Sequence, residues 1–146
     1  MTTRPAIVIP PALKPLATEK HWVVWKWVEV KGKDGKPKLT KPPFRADAPS
    51  KHASSTDPAT WCDLKTAMLA YMEGKADGIG FVLTGSEWTA IDIDDCRNAA
   101  TSNLHTWANH KVSRANSYAE VTPSSSPSWY SVRGPPAASP GRHCFA

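Results

Sequence analysis

Two aspartates near the middle of the chain have the spacing of a metal-binding pair. Asp92 and Asp94 lie two residues apart in the apolar segment that contains Ile91 and Ile93. Because successive side chains of a strand point to opposite faces, the isoleucines can enter a core while both aspartates project from the other face. Their Cα atoms would be about 6.5 Å apart, and a divalent cation would relieve the repulsion between the carboxylates. The pattern predicts that Asp92 and Asp94 bind Mg²⁺ or Mn²⁺.

A purely structural role is the alternative for these aspartates. Aspartate is common where strands end, and Asp94 with Asp95 would also suit a turn or the start of a helix. The pair alone does not decide between the two interpretations.

The pair belongs to a longer segment, Gly78 to Cys96, that has the pattern of a β-hairpin. Two apolar runs, Ile79 to Thr84 and Trp88 to Ile93, are joined by Gly85 and Ser86. We expect the other elements of the chain to position this hairpin. They are a strand over His21 to Val30, a turn at Asp34 and Gly35, a returning edge strand over Leu39 to Phe44, a helix from the N-cap Asp57 and Pro58 to Gly74, a helix over Asn103 to Arg114, and a strand over Ser117 to Thr122.

Composition indicates one domain with loosely packed ends. The chain has 146 residues, 14 prolines and a mean hydropathy of −0.42. We expect residues 1–18 to be an extended proline-rich lead-in, residues 19–124 to be the folded domain, and the Pro/Ser-rich residues 125–146 to be a disordered tail. No apolar run approaches the ~20 residues of a membrane span, and the three cysteines form no Cys-x-x-Cys motif. These features favour a cytoplasmic protein with free thiols and no membrane partner.

Positive charge is concentrated in one segment. Between Lys26 and Lys51 there are eight basic and three acidic residues, which accounts for the whole net charge of +5. A basic surface near a carboxylate pair suits a polyanion such as a nucleotide or nucleic acid, although a solvated lysine-rich hairpin tip is the commoner explanation of such a charge run taken alone. The candidate nucleic-acid-binding residues are Lys31, Lys33, Lys36, Lys38, Lys41 and Arg45.

Three tryptophans lie close together in the first predicted strand. Trp22, Trp25 and Trp27 could stack on nucleic-acid bases, but burial in the core is the commoner use of such a cluster. We therefore expect them to be core residues.

The order of elements and several local motifs resemble the primase-polymerase domain at the N-terminus of phage and plasmid replication proteins, in the archaeo-eukaryotic primase superfamily. The motifs are WVVW (22–25), KPPF (41–44), ASSTDPATW (53–61), GIGFVLTGSEWTAIDID (78–94) and SYAEVTPS (117–124). The resemblance implies an α+β fold with an RRM-like core, built of antiparallel hairpins with two packed helices. It also implies template-directed nucleotidyl transfer, with DNA template or primer and nucleoside triphosphates as partners and a replication helicase as a further one.

In that family the first motif's aspartates hold two divalent metals, and Asp92 and Asp94 match them. The strand that ends at Ser124, a weaker nucleotide-binding candidate, continues in the family as Gly-x-Gly-x-His, which meets the triphosphate. Here both glycines are serine or proline, and Trp129 stands at the histidine position. A later acidic motif is also missing, because no residue after Glu120 is acidic.

Three functions follow as candidates. The first is a truncated or degenerate primase-polymerase domain that keeps its metal carboxylates and has lost catalysis. The second is a non-catalytic module that binds single-stranded DNA through the basic hairpin and exposed tryptophans. The third, an unrelated metal-dependent phosphoesterase, is the least favoured because no histidine-rich ligand set accompanies the aspartates. The abrupt end of the resemblance after Ser124 also suggests a shift of reading frame at that point.

Overall fold

The computed structural model of the chain describes residues 4–121 and 129–133 and shows a mixed α+β protein with antiparallel sheets. The predicted α+β class is confirmed. The strands are β1 (Trp22–Trp25), β2 (Val28–Lys31), β3 (Pro37–Thr40), β4 (Pro43–Phe44), β5 (Gly78–Phe81), β6 (Thr89–Ile93), β7 (Tyr118–Val121) and β8 (Trp129–Arg133). The helices are α1 (Leu64–Met72) and α2 (Thr106–Ala115), with 3₁₀ helices at Pro11–Thr18 and Pro58–Thr60. The chain divides into two compact units between Ser86 and Glu87.

The first unit is built on β1, which lies between β4 and β5 in an antiparallel sheet. Val24 at the centre of β1 is fully buried, and α1 packs on β1 and β5 through the buried Ala67 and Ala70. Small helix residues let the helix backbone approach the sheet closely. The single edge strand predicted over Leu39 to Phe44 is wrong in its extent, because it is divided into β3, which pairs with β2, and the two-residue β4. β4 does lie at an edge of its sheet, where the missing backbone N–H of Pro43 is tolerated.

The predicted hairpin around Asp34 and Gly35 is confirmed. β2 pairs with β3 in the register Val28↔Thr40 to Lys31↔Pro37. Gly35 has a φ of +78°, a left-handed conformation that costs glycine little.

The single strand predicted over His21 to Val30 is wrong in one respect, because it is broken into β1 and β2 at Lys26 and Trp27. The break occurs where the Trp27 N–H donates to a side chain, Asp77 Oδ2, at 2.9 Å instead of to a neighbouring strand. β2 can therefore leave the β4–β1–β5 sheet and pair with β3 alone.

The helix predicted from Asp57 is in fact two elements. Asp57 caps the 3₁₀ turn Pro58–Thr60 by accepting the Ala59 N–H, so the predicted cap is confirmed. The chain is then extended at Cys62, which forms an isolated antiparallel bridge with Trp22. The helix α1 begins after it at Leu64, with Asp63 as its own N-cap. The predicted end of the helix at Gly74 is confirmed by its φ of +75°.

The expectation of an extended N-terminal lead-in is wrong for Pro11–Thr18, which forms a 3₁₀ helix. Leu16 in this helix is buried, and its carbonyl accepts the Trp22 indole N–H at 3.1 Å. Upstream, the Pro5 carbonyl accepts a hydrogen bond from the Tyr71 hydroxyl at 3.0 Å. Packing and side-chain hydrogen bonds thus order a segment that lacks several backbone donors.

The second unit is a sheet of order β6–β8–β7 together with α2. Its core contains the buried residues Ile93, Cys96 and Ala108, with Ile91, Leu104 and Val112 packed against them. β8 belongs to the segment for which we predict a disordered tail, and residues 129–133 are instead a strand paired on both sides. Residues 125–128 and 134–146 lie outside the described part of the chain.

The hairpin predicted over Gly78 to Cys96 is wrong in its pairing. Both strands form, but β5 pairs with β1 along its whole length and β6 pairs with β8 along its whole length. The intervening residues 82–88 contain a local turn in which the Ser86 N–H donates to the Leu83 carbonyl at 2.9 Å. Partners distant in sequence therefore replace the local pairing that the turn residues indicated.

Within the described residues, no helix is both long enough and apolar enough to cross a membrane.

Candidate metal centre and nucleic-acid interface

Asp92 and Asp94 lie on the exposed side of β6 and its immediate continuation. Ile93 between them is buried, whereas both aspartates are exposed. The predicted alternation of side chains is thereby confirmed, since the isoleucines face the core and the carboxylates face solvent.

The backbone that carries the pair is fixed by the core behind it. Cys96 is fully buried, and its carbonyl accepts the N–H of His105, the N-cap residue of α2, at 2.8 Å. Asp95 turns the chain with a φ of +49°, a conformation that aspartate adopts more readily than most residues. The two carboxylates thus lie at a strand end that is packed on the core and followed by a turn, in accord with both the metal and the turn interpretations of the sequence.

A third carboxylate lies in register with the pair and was missed by the sequence reasoning. Asp92 pairs with Tyr130 of β8, and Tyr130 pairs in turn with Glu120 of β7. Partners in an antiparallel sheet share a face, so Asp92 and Glu120 are on one face at a backbone separation of about 10 Å. The alternation of side chains in the segment Ser117 to Thr122 could have indicated on which face of its strand Glu120 lies. It could not have indicated which strands lie beside that one.

Glu120 already has a partner on its own strand. The Tyr118 hydroxyl donates to Glu120 Oε2 at 2.8 Å. Partial burial and this carboxylate raise the pKa of the Tyr118 hydroxyl to about 12, so the phenol stays protonated and keeps donating at neutral pH.

The donor set fits a weakly held hard cation. Mg²⁺ is commonly bound by one or two carboxylates, with waters and substrate phosphates completing its shell. Asp92 and Asp94 can supply two such carboxylates. Among the described residues, no group of three or more acidic, histidine or cysteine side chains is arranged to hold a metal.

The basic candidates on the β2–β3 hairpin are exposed to solvent. The ion pairs in residues 4–121 are formed by Arg4, Arg45 and Lys75, and none involves the hairpin lysines. The four exposed lysines are Lys31, Lys33, Lys36 and Lys38. Their charges are therefore available to an external anion.

The other predicted binding residues are in different situations. Lys41 is half-buried against Trp25 and Trp27. Arg45 makes a bidentate pair with Asp47, with N–O distances of 2.9 and 2.6 Å. The hydrogen bonds to Asp47, and then the charge of that carboxylate, raise the pKa of the Arg45 guanidinium, which is thus committed to a local partner. Ser124 lies outside the described residues.

A comparison with known proteins found a relative of this chain. The chain is 35% identical over 115 residues to the "DNA Primase-polymerase" of Nitratiruptor phage NrS-1. The predicted resemblance to primase-polymerases is confirmed. The match covers 78% of this chain and 15% of the phage protein, and no protein-family model matches the chain.

The first residue of β8 matters because of the resemblance to primase-polymerases. Trp129, which the resemblance places at the family's histidine position, begins β8 and pairs with Ile93, the residue between the two aspartates. The backbone at this position therefore lies directly beside the carboxylate-bearing strand end.

Proposed function

We propose that the chain is a degenerate primase-polymerase domain that retains a divalent-cation site at Asp92 and Asp94 and has lost primer extension. One observation carries the proposal. In a chain 35% identical over 115 residues to a phage primase-polymerase, Asp92 on β6 and Asp94 just after it are exposed while the residue between them is buried. Two exposed carboxylates of like charge on neighbouring positions of one strand end would repel each other, and this repulsion favours a cation partner.

Each residue has a defined part in this proposal. Asp92 and Asp94 would hold Mg²⁺ or Mn²⁺, and a cation bound there would neutralise the phosphates of a nucleoside triphosphate. Ile93 and Cys96 anchor the backbone that carries the two carboxylates in the core of the second unit. DNA template or primer and nucleoside triphosphates are the proposed ligands, and a replication helicase is a proposed partner.

The loss of extension rests on the sequence that follows Ser124. The residues Ser125, Pro127 and Trp129 occupy the positions of the family's two glycines and histidine. Proline supplies no backbone N–H, serine adds a side chain where the backbone must approach phosphate, and tryptophan cannot carry positive charge. The triphosphate would therefore lose several of its contacts.

We predict that Mn²⁺ binds weakly to the wild-type chain and not to the Asp92→Asn, Asp94→Asn double variant. Electron paramagnetic resonance measures this directly, because the signal of free Mn²⁺ falls as the ion binds. The matched control is Asp95→Asn, which removes a neighbouring exposed carboxylate and keeps a residue that tolerates the left-handed backbone at this position. Equal binding by wild type and double variant would refute the metal assignment.

The exposed hairpin lysines favour a second candidate, a non-catalytic module for single-stranded DNA. Lys31, Lys33, Lys36 and Lys38 extend from a two-stranded sheet with no ion-pair partner among the described residues. Such a track of cations suits a phosphate backbone. This function needs neither the metal pair nor the missing glycine-rich motif.

For this module we predict that log affinity for oligo(dT) falls with log salt by about 0.7 per phosphate contacted. The Lys33→Ala, Lys36→Ala, Lys38→Ala variant should flatten the slope by up to about 2. The control variant replaces three exposed lysines of the same unit outside the hairpin, Lys14, Lys20 and Lys65, with alanine, so that the change in net charge is identical. Equal slopes for the two triple variants would show that the hairpin is not the binding site.

A further inference from the structure

The three clustered tryptophans do not share one environment. Trp22 is buried, with 4% of its surface exposed, whereas Trp27 is 39% exposed. Trp25 lies between these extremes. The expectation that all three are core residues is therefore wrong for Trp27, and its exposed ring requires another explanation.

The backbone of Trp27 is held by a network centred on Asp77. The carboxylate of Asp77 accepts the Trp27 N–H at 2.9 Å, and the Asp77 N–H donates to the Trp25 carbonyl at 2.9 Å. Arg4 lies 3.8 Å from the same carboxylate. The exposed indole is thus mounted on a fixed backbone, which limits the entropy lost when a ligand binds it.

The ring of Trp25 forms a wall beside it. The two indoles meet edge to face, with centroids 5.5 Å apart and an interplanar angle of 81°. The Trp25 indole N–H donates to the Ile79 carbonyl at 3.1 Å, which fixes the orientation of that ring. The Trp27 ring therefore packs against Trp25 on one side, and the exposed part of the ring can accept a planar group.

A cation accompanies both rings. Lys41 Nζ is 5.5 Å from the centroid of Trp27 and 5.7 Å from that of Trp25. These distances are within the range of cation–π attraction. Lys41 follows the β2–β3 hairpin, which carries the exposed lysines, so that an aromatic surface and several positive charges occur on neighbouring parts of one unit.

We propose that Trp27 is a base-stacking site for single-stranded DNA and that Lys41 contacts the adjoining phosphate, with the hairpin lysines continuing the phosphate track. An exposed aromatic face beside cations is the combination by which proteins hold single strands without reading their sequence. The inference rests on the proposed nucleic-acid partner and not on the cation site at Asp92 and Asp94.

The test compares two residues of similar size that differ in one property. Trp27→Phe keeps an aromatic face, and Trp27→Leu fills space without one. We expect Trp27→Leu to weaken the binding of fluorescein-labelled oligo(dT) by about 5- to 100-fold, the equivalent of one stacked base, and Trp27→Phe to retain most of the affinity. Near-ultraviolet circular dichroism and thermal melts establish that both variants fold.

Trp107→Leu is the matched control. Trp107 is 48% exposed and has Lys111 Nζ 6.0 Å from its ring, but it lies on α2, away from the hairpin in sequence and in the other unit. Its replacement should leave affinity unchanged. Lys41→Ala should lower the salt slope by about 0.7, the value of one phosphate contact.

Three outcomes would overturn the inference. The first is equal affinity of Trp27→Leu and Trp27→Phe, since only stacking separates them. The second is a loss of duplex binding in Trp27→Leu as large as the loss for oligo(dT), because paired bases cannot stack on the ring. The third is tighter binding of oligo(rU) than of oligo(dT), which would reassign the site to RNA. Failure of Mn²⁺ binding would leave these results standing, so the two proposals fail separately.

Discussion

We expect the chain to extend no DNA primer above a buffer blank, in Mg²⁺ or Mn²⁺, where the phage NrS-1 primase-polymerase serves as the positive control. The triphosphate of an incoming nucleotide carries several negative charges, and the Gly-x-Gly-x-His that would meet them in the family does not follow Ser124. Loss of even one preorganised donor at a reacting centre typically costs ~10²-fold in rate or more. Extension of a labelled primer on a denaturing gel measures the effect.

A gain-of-function variant makes this prediction stricter. Ser125→Gly, Pro127→Gly and Trp129→His together recreate the family's Gly-x-Gly-x-His. Of these positions, 129 begins β8 and pairs with Ile93 of β6, between the two aspartates. We expect the triple variant to bind a labelled triphosphate more tightly than wild type in the presence of Mn²⁺. Primer extension by the wild-type chain that disappears in Asp94→Asn would contradict the proposed loss of catalysis.

Local rules predicted the features that depend on neighbours in sequence. The turn at Gly35, the cap at Asp57 and the end of α1 at Gly74 all follow from backbone preferences of single residues. The exposure of Asp92 and burial of Ile93 follow from the two-residue period of a strand. These features need no knowledge of the rest of the fold.

Strand partners could not be predicted in the same way. The segment Gly78 to Cys96 has the pattern of a hairpin, yet β5 pairs with β1 and β6 pairs with β8. A turn signal shows that the chain can reverse, but the pairing is chosen by competition among all strands that offer a matching face. For the same reason, the sequence could not show that Asp92 and Glu120 pair with Tyr130 from its two sides and so share one face of the sheet.

The exposure of Trp27 is a further property that composition could not give. A run of β-branched and aromatic residues indicates a strand, but the break after Trp25 depends on Asp77, fifty residues further along the chain from Trp27.

The frame-shift hypothesis for residues after Ser124 stays a prediction, and translation of the gene in its other two frames tests it. Residues 129–133 form β8, which pairs with β6 on one side and with β7 on the other, so this stretch is compatible with a central strand.

The second large effect is expected at Gly78, which lies opposite Trp25 in the β1–β5 pair. A Cβ atom at Gly78 would lie 2.4 Å from the Trp25 ring, far inside van der Waals contact. The ring cannot simply move away, because its N–H donates to the Ile79 carbonyl and the ring packs edge to face with that of Trp27. We therefore expect Gly78→Ala to lower the free energy of unfolding by about 1–3 kcal/mol, the usual cost of overpacking.

Gly80 provides the matched control for this substitution. It lies on the same strand, and an added Cβ there would be 3.5 Å from Val23 Cγ2, an ordinary contact. Urea unfolding should show a large shift of the midpoint for Gly78→Ala and little change for Gly80→Ala. In a Trp25→Ala background the cost of Gly78→Ala should disappear, because the two residues share one space and their effects are coupled. Equal costs at the two glycines would show that Trp25 is not the reason for glycine at position 78, and would remove the support for a fixed wall beside Trp27.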